Sequence, residues 1–399
     1  MTRRRLHLLG AALLVAGACS SSEPDSGSTS TTAAPASLAA PTSPAIPTTT
    51  AAAAVTSSSA DPEVDPVSFQ TAGPHEVGIT TLALPTGNLV EVFYPADDTV
   101  DGQTDSYQVR SFLPEAIRAL IPEETADRYE IEAARDGAAS PEGPFPLVLF
   151  SHGAAAFRSQ STDLARHLAS WGMVVASPDH PSRNLESQLS NSEVRPQPAA
   201  DDLRATRELV TSAAEGPLAG LVDPNLVAVS GHSAGGGTTL EVATDDGIAG
   251  YVSYASGAFD DTELPTVPSL FMAGALDEIV EPERTAEAHT AAAAPSWLWV
   301  IEETGHLAFS DICAIGNDEG GLIGLAESAG IGDLVPAELR RLATDGCEPP
   351  NVEVTSVWPA VNQASVAFYR YTFGLDDEPR GLDAIDLDGV TVEIDERLS

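Results

Sequence analysis

Asn225-Leu226-Val227-Ala228-Val229-Ser230-Gly231-His232-Ser233-Ala234-Gly235-Gly236-Gly237 decides how the chain is read. Leu226 to Val229 is an apolar run too short for a helix and flanked by turn formers, which predicts a buried strand. It stops at Gly-x-Ser-x-Gly, and Thr238 to Ala243 behind it has the composition of a helix. Strand, sharp turn and helix in that order hold a serine on a strained backbone with its hydroxyl presented outward. The residues flanking such a turn do best without side chains, so that strand and helix can approach. Gly231 and Gly235 meet that need.

Working outward, eight short apolar runs lie between about residues 78 and 301. They are Ile79 to Leu84, Leu89 to Tyr94, Leu147 to Ser151, Met173 to Ser177, Leu226 to Ser230, Tyr251 to Tyr254, Ser269 to Ala273 and Trp297 to Ile301. From the third onward they mostly alternate with helical patterns. Leu164, Leu168 and Trp171 recur at helical spacing, Leu203, Thr206, Val210 and Ala213 form a stripe, and Glu281 to Ala293 is alanine-rich. Val361, Ala364, Phe368 and Tyr371 mark a last helix. Strands alternating with helices predict a mainly parallel sheet of about eight strands covered on both faces, with the first two runs as an antiparallel edge.

Ligands in such sheets bind beyond the carboxyl ends of the strands. Ser233, Asp277 and His306 each fall just after a predicted strand, in the order Ser, Asp, His. A serine hydroxyl is a poor nucleophile until a base takes its proton, and an acid must hold that base in the right tautomer. Ser233 is the candidate nucleophile. Only His289 and His306 lie downstream of it; His289 falls inside a predicted helix and is expected at the surface, which leaves His306 as the base. Asp277 is the favoured acid, with Asp260 and Asp261 after the Tyr251 to Tyr254 run as alternatives and Glu278 as a minor one. Two backbone N–H groups are needed where the carbonyl oxygen becomes negative: Ala234, after the nucleophile, and Ala154, in the loop after Phe150. His152 and His180 read as loop-shaping residues. Phe157, Arg158, His180, Phe259 and Leu307 are candidates for lining a substrate pocket, with Arg158 otherwise a surface cation. No metal-ligand cluster, phosphate loop or dinucleotide fingerprint is present in the sequence, and the chemistry calls for no cofactor.

Four stretches carry a family resemblance: Phe93-Tyr94-Pro95-Ala96, Pro146-Leu147-Val148-Leu149-Phe150-Ser151-His152-Gly153, Leu168-Ala169-Ser170-Trp171-Gly172-Met173-Val174-Val175-Ala176, and Gly231-His232-Ser233-Ala234-Gly235-Gly236. Together they resemble the α/β-hydrolase superfamily. Within it they are most similar to bacterial relatives of platelet-activating-factor acetylhydrolase and to dienelactone-hydrolase-like and cutinase-like polyester hydrolases. The match runs from roughly Gly73 to Gly374. The resemblance implies an α/β-hydrolase fold, ester cleavage through an acyl-serine on Ser233 with Asp277 and His306, Ala154 and Ala234 as oxyanion donors, and no cofactor. The acetylhydrolase branch takes its acid from the earlier strand end, which keeps Asp260 and Asp261 open. Polyester hydrolases carry a tryptophan where this chain has Phe259, which counts against a polymeric substrate. Two alternatives stand beside the esterase: a peptidase or amidase on the same fold, and a catalytically silent binding lipoprotein.

The ends of the chain are of another kind. Arg3-Arg4-Arg5 and the apolar stretch from Leu6 to Ala16 predict a signal peptide over residues 1–19. Val15-Ala16-Gly17-Ala18-Cys19 resembles a lipobox, which implies lipidation at Cys19. Residues 20–66 are a Ser/Thr/Ala/Pro linker, with no aromatic residue before Phe69, and cannot bury enough apolar surface to order themselves. The layout predicts an exported, surface-anchored or secreted protein with its α/β domain over residues 67–375 and an acidic tail over 376–399. A small helical insert, about 311–350, is expected after His306 as either a wall or lid over an acyl pocket or a peripheral decoration. The net charge is −40 and every cation is arginine, so phosphate backbones and anionic head groups would repel the chain. The expected partner is a small-molecule or lipid ester, with membrane contact only through the anchor. Beyond Cys19, Cys313 and Cys347 form an even pair expected to be bridged in an oxidising compartment.

Overall fold

The computed structural model of the protein describes residues 68–123, 128–190, 197–258, 263–383, 387 and 389–399. They fall in one compact unit, Glu63–Ser399. The signal segment, Cys19 and the linker, together with Phe259, Asp260 and Asp261, lie outside the described residues.

The chain opens with the antiparallel pair β1 (Glu76–Ala83) and β2 (Leu89–Ala96). β3 (Asp105–Tyr107), the single turn α1 (Glu115–Arg118) and β4 (Tyr129–Ile131) follow, with β3 and β4 paired as a separate ribbon. β5 (Ala134–Arg135) returns to lie beside β1. Strand and helix then alternate through β6 (Phe145–Ser151), α2 (Thr162–Ser170), β7 (Val174–Pro178), α3 (Leu185–Leu189), α4 (Ala199–Thr211) and β8 (Val222–His232). The series continues with α5 (Ala234–Val242), β9 (Ile248–Tyr254), β10 (Ser269–Gly274), α6 (Pro282–Ala291) and β11 (Ser296–Ile301). Short α7 (Gly321–Ser328) and α8 (Ala337–Leu342), long α9 (Val354–Thr372) and β12 (Val392–Arg397) complete the domain.

The main sheet runs β12-β11-β10-β9-β8-β6-β7-β2-β1-β5. From β6 to β11 every neighbouring pair is parallel, and β2 joins β7 antiparallel. All eight apolar runs of the sequence are strands, so the mainly parallel α/β sheet stands. Among the described residues it has ten strands rather than eight. β5 is two residues long, too short for any periodic pattern. β12 is the larger correction, because it lies inside the stretch read as an acidic tail. Its Val392 and Ile394 pack on the core while Glu393 and Glu396 are exposed, a half-buried antiparallel edge beside β11.

Alternation along each strand divides the core into two layers. Val148 and Phe150 of β6 pack with Leu164 and Leu168 of α2 and Val361 and Phe368 of α9. Leu147 and Leu149 point the other way, to Leu203 of α4, Leu240 of α5 and Ala288 of α6. Full burial of each such leucine contributes about 1.5–3 kcal/mol. These two layers clamp the sheet, and the carboxyl ends of β6, β8, β10 and β11 therefore form a fixed rim.

Helix α5 starts at Ala234, four residues before the helix read from the sequence, so Ser233 is the pivot between strand and helix. Its backbone sits at φ 55°, ψ −122°, outside the regions ordinary side chains adopt. The flanking glycines make that turn possible. A Cβ on Gly235 would fall 1.9 Å from the Ser151 carbonyl oxygen, and one on Gly231 2.3 Å from the Gly235 carbonyl oxygen.

Candidate active site

The turn after β10 carries Asp277 and the turn after β11 carries His306. Asp277 Oδ1 accepts the backbone N–H groups of Ile279 and Val280, both at 2.8 Å, and Oδ2 accepts His306 Nδ1–H at 2.8 Å. Asp277 and His306 are both buried. With Nδ1 bound to the carboxylate, the His306 lone pair is on Nε2. That atom is buried and has no hydrogen-bond partner among the described residues. Ser233 and His306 line the same cavity, of about 460 Å³. Gly153 and Ala154, in the loop after β6, line it too.

A second Ser-His-Asp arrangement lies nearby, and access separates the two. Ser151 Oγ lies 2.9 Å from His180 Nε2, and His180 Nδ1 3.1 Å from Asp202 Oδ2. None of the three has measurable exposure. The Ser151 hydroxyl also accepts a hydrogen bond from Arg183 Nη2 at 2.7 Å, and burial pushes the Asp202 carboxyl up to about 7. This set cannot meet a substrate. It braces the loop instead: Arg183 also donates to the His152 carbonyl oxygen at 2.7 Å and to Thr238 Oγ1 at 2.8 Å, tying the loop after β6 to α5. His152 and His180 are loop-shaping in the same way, since His152 Nε2 accepts the His180 N–H at 3.0 Å.

Sequence reasoning missed three residues that join the catalytic loops. Gln160 Oε1 accepts the Gly153 N–H, and Gln160 Nε2 donates to His232 Nδ1, each at 2.8 Å. His232 Nε2 then donates to the His306 carbonyl oxygen at 2.9 Å. Asp345, from the insert, accepts the His306 N–H at 2.7 Å. Only His232 had a local signal, as the residue before the serine in Gly-x-Ser. Burial pushes His232 and His152 down to about 3, so both rings are neutral donors and acceptors. Their imidazole resonances are expected not to titrate between pH 5 and pH 8 in a histidine-selective NMR series. A midpoint near 6.5 for either ring would contradict the network.

Other expectations need correcting. His289, expected at the surface, is buried with Nδ1 2.8 Å from Ser296 Oγ, because α6 lays that face on β10 and β11. Of the candidate lining residues, Phe157 and Leu307 do line the cavity. Arg158 and His180 do not: Arg158 is held by Glu91 at 3.1 Å and Asp179 at 2.7 Å, so it is not a free surface cation either. Cys313 and Cys347 are bridged, with Cα atoms 5.0 Å apart, and so staple the insert.

Comparison with known proteins bears on this geometry. Residues 67–193 match the family model described as platelet-activating factor acetylhydrolase, isoform II, and residues 137–252 match that described as chlorophyllase. Among solved structures, a ferulic acid esterase from Streptomyces cinnamoneus aligns over 79% of this chain and 96% of its own, with TM-score 0.57 and 20% identity. The domain has the α/β-hydrolase fold. A platelet-activating factor acetylhydrolase from Cavia porcellus is 23% identical to this chain over 231 residues, 44% of the present chain. The chain spans about half the length of that relative, 51%. Both family models end before Asp277, His306 and the insert, so the latter half of the candidate site rests on its own geometry.

Proposed function

We propose that the domain is a serine hydrolase that cleaves carboxylic esters through an acyl-enzyme on Ser233. The observation that carries the reading is His306, fixed by Asp277 on one ring nitrogen and presenting the other, unpartnered, beside a cavity that Ser233 lines. His306 takes the hydroxyl proton as Ser233 attacks the ester carbonyl, and returns it to the departing alcohol. Water repeats the cycle to release the acid. Ala234 is the first residue of α5, where N–H groups lack intrahelical acceptors, and the Ala154 N–H has no acceptor among the described residues. These two amides are the oxyanion donors in the proposal. The scheme uses only protein groups.

The names of the relatives, acetylhydrolase and ferulic acid esterase, support ester chemistry. Turnover of matched p-nitrophenyl esters and p-nitroanilides tests it: ester cleavage in large excess is expected, and comparable anilide cleavage would favour the peptidase alternative.

Insert helices α7 and α8 line the cavity, which supports the wall-or-lid reading over peripheral decoration. The bridge closes a loop with a sequence separation of 34, and removing it is expected to cost about 2–4 kcal/mol of stability. The Cys313→Ser/Cys347→Ser variant should also shift the preferred ester chain length, measured beside thermal unfolding. A shift in melting temperature alone would return the insert to a decorative role.

We further propose that the domain is exported and tethered by a lipid on Cys19. The disulfide supports an oxidising compartment. Cys19→Ser is expected to move the protein from the membrane fraction to the medium, as followed by immunoblot.

A further inference from the structure

The cavity beside Ser233 is far larger than its catalytic end requires. Beyond that end its walls are hydrocarbon, among them Leu113, Ile121, Leu185, Ile315, Leu325 and Leu339. The polar side chains in the interior walls are few, and several are already engaged. The Tyr107 hydroxyl donates to the Ser159 carbonyl oxygen at 3.1 Å, and Arg110 Nε to that of Ile121 at 2.5 Å. Gln160 is bound at both ends of its amide, while Glu319 and Ser328 are exposed.

Helix α7 adds an independent sign. Leu322, Ile323, Leu325 and Ala326 all line the cavity, yet no residue of this apolar helix is buried. Its apolar side is half-buried: Leu322 and Leu325 pack against the core on one flank and border the cavity on the other. Gly320, Gly321 and Gly330 at its two ends have φ of 85°, 66° and 72°, a region that favours glycine.

We propose that the cavity takes one long aliphatic arm of the substrate ester, on its acyl or its alcohol side, so that the natural substrate is a lipid-like ester rather than a short-chain or hydroxycinnamoyl one. The inference rests on the ester-hydrolase reading above. An acetyl group would leave most of the space empty. A phenol would lose its water there and find few partners in a wall that is mostly hydrocarbon. A methylene chain loses no hydrogen bond and would complete the burial of the half-buried side chains of α7. At about 30 Å³ for a group the size of a water molecule, the volume admits on the order of a dozen carbons or more.

Two ester series test the proposal and identify the arm: p-nitrophenyl acyl esters from acetyl to hexadecanoyl, and acetate esters of alcohols over the same lengths. In one series kcat/KM is expected to rise about threefold per methylene over the first several carbons, and at least 100-fold in all. Leu325→Trp and Leu339→Trp are expected to lower the dodecyl-to-acetyl (or ethyl) ratio at least tenfold. A flat or falling profile in both series, faster cleavage of methyl ferulate than of methyl dodecanoate, or a ratio unmoved by both tryptophans would overturn it. Those outcomes leave the esterase reading standing. Absence of hydrolysis in both series, with no fluorophosphonate labelling, would remove the reading and the inference together.

A different set of atoms carries a second inference. Asp345 Oδ1 accepts the His306 N–H at 2.7 Å, and Oδ2 accepts the N–H of Glu278, next to Asp277, at 3.2 Å. Its carbonyl oxygen accepts the Leu307 N–H at 3.1 Å. Gly305 has no side chain where a Cβ would fall 2.6 Å from Gly346 Cα, so the two segments touch. Cys347, two residues on, is bridged to Cys313. The geometry points to Asp345 as a positioning residue that locks the acid turn to the base turn.

Asp345→Ala is expected to lower kcat 10- to 100-fold per fluorophosphonate-titrated site with KM changed less than threefold. Asp345→Asn, which keeps an acceptor for the His306 N–H, is expected to recover most of it, and Asp345→Ser substitutes if the alanine variant does not fold. A folded alanine or serine variant with wild-type kcat per site would overturn the assignment, as would a loss confined to KM.

Discussion

Ser233→Ala is expected to lower ester turnover by roughly 10⁴- to 10⁶-fold while the domain keeps its fold. The loss is this large because, in the proposed mechanism, the hydroxyl is the atom that bonds to the substrate. The fold survives because the turn is set by other groups: the Ser233 N–H donates to the Tyr254 carbonyl oxygen at 2.9 Å, and the flanking glycines allow the close approach. Alanine meets the same backbone strain as serine at φ 55°, so the strain does not change between the two. A coupled turnover assay and a thermal melt on one sample measure both halves of the expectation. Retained turnover in pure variant protein would place the nucleophile elsewhere.

Asp277→Asn is expected to cost about 10⁴-fold in kcat, or about 5 kcal/mol of barrier. The hydrogen bonds around the carboxylate explain why so conservative a change does so much. Oδ1 faces two N–H donors, Ile279 and Val280, so an asparagine keeps its carbonyl oxygen there. Its NH₂ group then faces His306 Nδ1, which becomes an acceptor. The ring proton is driven to Nε2, and the nitrogen that should take the serine proton no longer can. Folding should change little, because the side chain keeps its shape and its two backbone contacts. A variant that loses less than tenfold in kcat would pass the role of acid to another carboxylate.

The fold was legible where local pattern and tertiary role coincide. Apolar runs bounded by turn residues gave the strands their places, because a strand covered on both faces has no reason to alternate. The elbow showed itself through glycines that the backbone geometry requires at Gly231 and Gly235. Ser233, Asp277 and His306 were visible as the residues that follow strands in a sheet whose ligands bind at that rim. β12 was hidden because its alternation of Val392 and Ile394 with acids sits in an acidic stretch that reads as solvated tail. Gln160, Arg183 and Asp345 were hidden for another reason. Gln160 meets His232 across 72 positions and Asp345 meets His306 across 39, and such contacts leave no periodic trace. The cavity is the same case, since it is assembled from residues between 107 and 122, Tyr129, the loop after β6 and the distant insert.

The insert thereby changes status. A glycine-rich stretch after His306 read from the sequence as either lid or decoration, yet it supplies the Asp345 contacts to both catalytic turns and much of the apolar wall.

The most direct measurement is the intact mass of the protein after exposure to a fluorophosphonate, with the labelled residue located by peptide mapping. One phosphonyl group per molecule, on Ser233 and lost in Ser233→Ala, is the predicted result. An unlabelled protein, or a label on any other side chain, would contradict the account.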